Sequence, residues 1–327
     1  MKEAEKNNFI GKEKILITGV TGFVGANIAR VLVNLGAKVY AIKKNDSDLW
    51  RLRGIFDEIK FYEADLSDKE KISSVLSDIN PDIIIHLAVY GGYHYQQDLQ
   101  RMFQVNLFGT INLLEAFLKT DGKLFINTGS SSEYGIKNKP MRETDYLEPV
   151  NDYGLSKAAT TLFCQKTAKK TDRNIITIRL FSAYGYFEDP GRLFPSIIKP
   201  LLEDKIPNLA NPSSVRDFCF IDDIVNAYLK IINSLGAKKL NGEIFNISSG
   251  RQYSVQYILN VICSIMGKRN ECLWGKVASR ESEPAFWQAN IDKIKKTLGW
   301  EPTIDLNEGL KLYIEWFRKN KKELYEK

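Results

Sequence analysis

Tyr153 and Lys157 stand four residues apart in Tyr153-Gly154-Leu155-Ser156-Lys157. On a helix that spacing puts both side chains on one face. A free phenol, with a pKa of about 10, transfers protons poorly at neutral pH. A neighbouring ammonium stabilises the phenolate and lowers that value. Far upstream, Gly19-Val20-Thr21-Gly22-Phe23-Val24-Gly25 follows an apolar run. Gly19, Gly22 and Gly25 open a helix and allow a sharp turn and a close approach to a pyrophosphate, with Phe23 and Val24 in the same cofactor loop. A dinucleotide site and a proton donor together imply nicotinamide redox chemistry on a carbonyl or hydroxyl. Tyr153 would give or take the proton, and Lys157 would also hold the nicotinamide ribose.

An NAD enzyme of this kind usually places Asp or Glu roughly 20 residues after the glycines, on the ribose 2′-hydroxyl. Here the second strand ends Ile42-Lys43-Lys44. Two ammonium groups suit a 2′-phosphate, so NADP(H) is favoured. NAD(H) is the alternative if the lysines are solvated strand-end charges.

These residues need a frame. Short apolar runs at Ile15–Thr18, Val39–Ile42, Ile59–Tyr62, Ile83–Ile85, Leu124–Ile126 and Ile175–Ile178 alternate with helical stretches. The helices lie at Ala26–Asn34 and near 67–78, 97–119 and 153–170. That alternation predicts an α/β fold, a doubly wound parallel Rossmann sheet. After Leu180 prolines break the rhythm, then Asp222–Ile232 reads as a helix and Glu243–Ile247 as a strand rejoining the sheet. We expect a dinucleotide-binding domain at 1–180 plus about 217–250. A smaller, mainly helical substrate lobe would take 181–216 and 251–327, over the strand C-termini where such folds bind ligands.

Composition excludes other classes. Of 327 residues 44% are hydrophobic and 26% charged, ordinary for a soluble protein. No apolar run reaches membrane-span length, and the first 14 residues lack a signal-peptide core, so cytoplasm is the expectation. Four scattered cysteines without a CxxC, and only His86 and His94, argue against zinc and against a Ser-His-Asp hydrolase. The net charge of +6 sits largely in stretches such as Arg318–Lys322, without the basic-aromatic clustering of nucleic-acid binding.

The glycine spacing, GxxGxxG after Thr18, and the Tyr153/Lys157 pair resemble the extended short-chain dehydrogenases/reductases, the NAD-dependent epimerase/dehydratase family that modifies nucleotide-sugars. Further matches are Asp65-Leu66, His86-Leu87-Ala88, Asn106 to Thr110, Arg216-Asp217-Phe218 and Ala289 to Trp300. The resemblance spans nearly the whole chain. It implies that Asp65 and Leu66 frame the adenine and that Leu87 and Ala88 belong to the cofactor site. It makes Ser130, in Thr128-Gly129-Ser130-Ser131-Ser132-Glu133-Tyr134-Gly135, the hydroxyl bonding the reacting oxygen. Asn106 would support Lys157 through the backbone and water. The bland alternative for such polar residues is capping of the next helix.

Family dehydratases carry an acid/base pair directly after that hydroxyl. Ser131 and Ser132 stand there, which argues against water elimination. Lys43 and Lys44 favour a reductase over an epimerase. So does Ser182-Ala183-Tyr184-Gly185, where epimerases typically carry Asn at the first position. Val89-Tyr90-Gly91-Gly92-Tyr93-His94 is similar to a loop of CDP-paratose and CDP-abequose synthases. The expectation is thus an NADPH-dependent reductase in deoxysugar biosynthesis, passing hydride to C4 of a nucleoside-diphosphate 4-keto-6-deoxy sugar. A UDP-glucose 4-epimerase-like enzyme is the alternative. A non-catalytic nucleotide-binding protein is a third reading, opposed by the intact Ser130, Tyr153 and Lys157. Arg216, and with it Arg280, would grip the diphosphate with a guanidinium fork. Tyr90, His94, Ser131 and Ser182 would line the sugar pocket. Met102, Phe103, Leu113, Leu114, Phe117, Leu162 and Phe163 put apolar groups on several helix faces. By resemblance they imply a homodimer through a four-helix bundle, the alternative being a thick internal core.

Overall fold

The computed structural model describes residues 10–325, except 94, 238 and 278–283, with only the backbone of 321–325. The chain divides into two compact units.

The first comprises the chain up to Gly135, with Glu143–Leu180 and Val225–Asn246. Its strands are β1 (Lys14–Thr18), β2 (Lys38–Lys43), β3 (Ile59–Glu63), β4 (Ile83–His86), β5 (Leu124–Ser130), β6 (Ile175–Leu180) and β10 (Ile244–Ile247). They form one sheet in the order β10-β6-β5-β4-β1-β2-β3, and the pairings from β3 across to β6 are parallel. The strand order reverses between β1 and β4, the switch point where such sheets bind ligands. The helices are α1 (Phe23–Asn34), α2 (Lys69–Ile79), α3 (Leu99–Phe103), α4 (Gly109–Phe117), α5 (Asp152–Thr171) and most of α7 (Ile221–Asn233). Buried apolar residues fill the space between sheet and helices: Leu16, Ile84 and Phe125 from strands, Val75, Leu76, Leu114 and Phe117 from helices. Burial of this kind stabilises by about 25 cal/mol per Å² of apolar area.

Two elements run differently from expectation. β5 continues four residues past the apolar run, to Ser130. Polar groups along it bond to neighbouring elements: the Asn127 amide nitrogen donates to Thr177 Oγ1 (3.2 Å), and the Thr128 and Tyr228 hydroxyls bond at 2.7 Å. The expected helix over 97–119 is interrupted by a π turn at Gln104–Phe108. There the Asn106 carbonyl accepts hydroxyls from Thr110 (2.5 Å) and Thr160 (3.0 Å). Such bulges recur at functional sites.

The second unit comprises Ile136–Arg142, Phe181–Ile224 and the chain from Ile247. It contains α6 (Leu193–Leu202), α8 (Val255–Met266), α9 (Asp292–Leu298) and α10 (Leu306–Tyr325). Two small sheets accompany them. β7 (Ser182–Tyr184) and β11 (Gln252–Ser254) flank β9 (Val215–Phe220), and β8 (Asn208–Leu209) pairs β12 (Leu273–Trp274). Neither sheet follows from the sequence pattern. They also correct the expected boundary. Residues 217–224 belong here because β9 hydrogen-bonds to β7 and β11, and 136–142 belong here because Met141 bridges Ala289. Tyr184, Phe194, Phe218 and Phe220 form its aromatic core. The Leu298-Gly299-Trp300 turn is anchored on Asp223: Trp300 Nε1 donates to the Asp223 carbonyl, and the carboxylate accepts the Thr303 and Ile304 N–H groups.

Among the described residues no helix is long and apolar enough to cross a membrane. No group of three His, Cys, Asp or Glu there could hold a metal ion, and the four cysteines are free thiols.

Candidate active site

The glycine loop joins β1 to α1 at the switch point. Gly19 has φ +72°, and a Cβ there would lie 2.6 Å from the Ala88 nitrogen and the Leu87 carbonyl carbon. A Cβ on Gly25 would lie 2.3 Å from the Gly19 oxygen. Only glycine lets the loop tuck under α1 and against the end of β4. The first turn of α1, with Phe23 and Val24, carries no acidic residue and no side-chain cap. Its backbone N–H groups are therefore suited to the pyrophosphate of a dinucleotide.

Lys43 and Lys44 are not free cations. Lys43 pairs with Glu63 at 2.8 Å and Lys44 with Asp65 at 2.8 Å. Asp65 also accepts the Ser67 N–H and hydroxyl. Burial opposes its charge, but Lys44 and the Ser67 bonds outweigh that and hold the carboxyl at about 2. The argument from unpaired lysines to a 2′-phosphate thus loses its premise. The carboxylates lie 20 and 21 positions downstream, which hid the pairing in the sequence. Leu66, next to Asp65, is buried.

Asn151 caps α5, accepting the Gly154 N–H (2.8 Å), so Tyr153 sits in the first turn with Lys157 one turn on. A Cβ on Gly154 would lie 2.4 Å from the Ser132 carbonyl oxygen. That contact brings the end of β5 and its following turn against the helix start. Lys157 is 4% exposed, and burial lowers its pKa, with the Glu133 carboxylate the largest opposing influence and Cys164 next. Gly91 lies against the Tyr153 ring, where a Cβ would be 3.2 Å from Cδ2.

Ser130 ends β5 and caps the 3-10 turn Ser131–Tyr134, accepting the Ser132 N–H at 3.1 Å. Capping leaves the Ser130 hydroxyl its own proton to donate, because the oxygen accepts this bond. Ser131 is buried beside it. Asn106 spends its side chain on the Tyr90 backbone (2.8 Å in each direction) and on Ser156 Oγ (2.9 Å). Its side-chain link to α5 therefore runs through Ser156, the residue before Lys157. Arg101 covers the Tyr90 ring at 5.1 Å.

Sequence reasoning missed two supports. His86 bridges Thr18 Oγ1 (2.6 Å) and Thr110 Oγ1 (2.8 Å), and burial, then the charge of Lys157, pushes it down to about 3. It is a neutral brace between β1, β4 and α4. Glu133 is wholly buried and paired with Arg179 at 2.7 Å. A carboxylate inside an otherwise hydroxyl run was the available signal.

In the second unit, Ser182 lies on β7, half-buried and paired with Phe218. Arg216 lies on β9, its guanidinium 5.7 Å from the Trp287 ring. Asp217 beside it is buried and accepts the Ser249 N–H (3.0 Å), the Ser249 hydroxyl (2.7 Å) and the Ala289 N–H (2.9 Å). Burial raises that carboxyl to about 6 against those bonds. His94 and Arg280 lie outside the described residues.

A family profile described as the NAD dependent epimerase/dehydratase family matches residues 15–272. The chain is 27% identical over 317 residues to a UDP-glucuronate 4-epimerase of Thermodesulfobacterium geofontis, covering 93% of this chain and 96% of that one. It is similar to the crystal structure of a Thermotoga maritima UDP-glucose 4-epimerase with UDP-glucose (TM-score 0.86, 27% identity, 94% of this chain and 99% of that one). It is also similar to a Bacillus cereus UDP-glucuronic acid 4-epimerase in complex with UDP-glucuronic acid and NAD (TM-score 0.81, 27% identity, 94% and 99%). The chain belongs to the NAD dependent epimerase/dehydratase family, NAD(P)-dependent enzymes of the extended short-chain dehydrogenase/reductase type.

Proposed function

We propose that this protein is an NAD-dependent 4-epimerase of a UDP-linked hexose. The observation that carries the reading is the set of groups around Ser130. One proton-transferring side chain, Tyr153, has its ammonium at Lys157, and hydroxyls at Ser131 and Ser132 replace the acid/base pair that elimination needs. Such a site suits oxidation and re-reduction of a single carbon. The relatives named above, all UDP-sugar 4-epimerases, support this reading over the reductase expected from the sequence. NAD is the better fit than NADP because Lys43 and Lys44 already have carboxylate partners.

The glycine loop and α1 would hold the pyrophosphate, Asp65 and Leu66 the adenosine, Leu87 and Ala88 the nicotinamide side, and Lys157 the nicotinamide ribose. Once bound, NAD supplies the hydride acceptor and donor. Tyr153 takes the proton from the C4 hydroxyl and later returns it, so the enzyme ends each turnover as it began. Ser130 donates to the same oxygen while its charge changes. Tyr90 and Ser131 line the sugar. We also propose a homodimer through α5, whose Leu155 and Leu162 are exposed.

The test is to incubate the purified protein with UDP-glucose and with UDP-glucuronate, without added reductant, and to resolve the C4 epimers by NMR. Epimer formation with no net change in reduced-nicotinamide absorbance is expected. No epimer, with steady NADPH consumption on CDP-4-keto-6-deoxyglucose, would replace this reading with the reductase.

A further inference from the structure

Beneath Ser130 lies a charged group with no assigned role. The Glu133 side chain is wholly buried. Its Oε1 accepts the Ser130 N–H (2.8 Å) and the Thr161 hydroxyl (3.0 Å), and its Oε2 accepts Arg179 Nε (2.7 Å). Arg179 also donates to the Glu143 carbonyl (3.3 Å) and stacks on the Tyr134 ring at 4.5 Å. Thr161 follows Lys157 by one turn and Tyr153 by two, so it shares their helix face. One carboxylate therefore ties the strand end bearing Ser130 to the stripe bearing Tyr153 and Lys157.

A buried ion pair is poor value as a stabiliser. Desolvation can exceed the attraction, and apolar residues of similar volume often serve as well. Its placement has to be explained by what its charge and bonds act on.

We propose that Glu133 is a positioning residue, whose carboxylate locks Ser130 against the Tyr153/Lys157 stripe and whose negative charge holds the Lys157 ammonium in its buried site. This inference rests on the redox reading of the site given above. The other groups around Lys157 do not replace that charge. Burial keeps His86 neutral, pushing it down to about 3, and burial pushes the Cys164 thiol up to about 12. The Tyr134 hydroxyl, raised by burial, is neutral and donates to Asn246 (2.7 Å). Arg179, the partner of Glu133, is itself a cation.

The test compares wild type, Glu133→Gln and the double variant Glu133→Gln/Arg179→Met. Three readouts are taken from pH 6 to 10: melting temperature, NAD+ affinity by calorimetry, and turnover of the UDP-sugar. Glu133→Gln should lose NAD+ affinity and kcat on the alkaline side about one pH unit earlier than wild type. Its kcat should fall about tenfold at neutral pH, with KM within about twofold. The double variant, freed of the lone buried charge, should recover the melting temperature but neither the kcat nor the pH profile. Recovery of kcat together with stability would make the pair a structural brace and overturn the proposal. So would the same pH dependence of NAD+ affinity in all three proteins. If wild type turns over no nucleotide-sugar, the reaction reading fails, while the NAD+ titration still decides the role of Glu133.

Discussion

At the scale of residues, the proposed mechanism assigns the chemistry to some groups and their positioning to others. Tyr153→Phe removes only the hydroxyl, and α5 keeps its cap on Asn151. Turnover should drop by about 10²–10⁴, the usual worth of a placed proton-transfer group, with NAD+ affinity unchanged. Activity within threefold of wild type would remove Tyr153 from the chemistry. The lysines make a second prediction. Lys43→Ala/Lys44→Ala breaks two ion pairs and exposes Glu63 and Asp65 to the cofactor side. NAD+ binding should change by no more than about threefold, as partly exposed pairs are weak. A selective collapse of NADP+ binding in calorimetry would restore the 2′-phosphate role. Tyr153 and Lys157 were legible in the sequence because helix periodicity alone puts them together. The partners of Lys44 and of Glu133 were not, because β2–β3 pairing and the β5, β6 and α5 packing bring them in from 21, 28 and 46 positions away.

At the scale of elements, the apolar runs revealed the sheet and its helices, because a parallel sheet buried on both faces needs continuous hydrophobic strands. They failed where polar residues are buried with partners. β5 continues through Asn127, Thr128 and Ser130, and the helix after β4 opens into a π turn at Asn106. The strands β7 and β11 carry too few residues for any period to show. The brace at His86 joins β1, β4 and α4 and gives a pH prediction. Its folded pKa, about 3, lies below the ordinary 6.5. The unfolded chain therefore binds the extra proton first as pH falls, and folding stability declines from pH 6.5 downward. At pH 5 this contributes about 2 kcal/mol of loss relative to neutral pH, at 1.4 kcal/mol per unit. His86→Asn should be less stable than wild type at pH 7 and should show a shallower decline between pH 7 and 5. Equal slopes in denaturant melts would show that another group carries the acid sensitivity.

At the scale of the whole molecule, the sequence suggested a dimer from apolar residues on several helix faces. The structure sorts those residues. Met102, Leu113, Leu114 and Phe117 are core, as the internal-core alternative has it. Leu162 is 56% exposed, and it is joined by Leu155 (47%) and Phe108 (50%). Leu155 and Leu162 are seven residues apart, so they form one stripe along α5, opposite in role to the buried Lys157 and Thr161. Exposed apolar side chains aligned on one helix face mark an interaction surface more often than isolated ones do. A stable dimer needs about 800 Å² buried on each partner, an area two long helices per protomer can supply. Light scattering should therefore give twice the 37.3 kDa chain mass. Leu155→Asp/Leu162→Asp places two carboxylates in that seam, and the mass should fall to that of one chain. The fold should persist, because neither side chain belongs to the core. A wild-type mass of one chain at micromolar concentration, or a double variant that stays dimeric, would place the contact elsewhere or remove it.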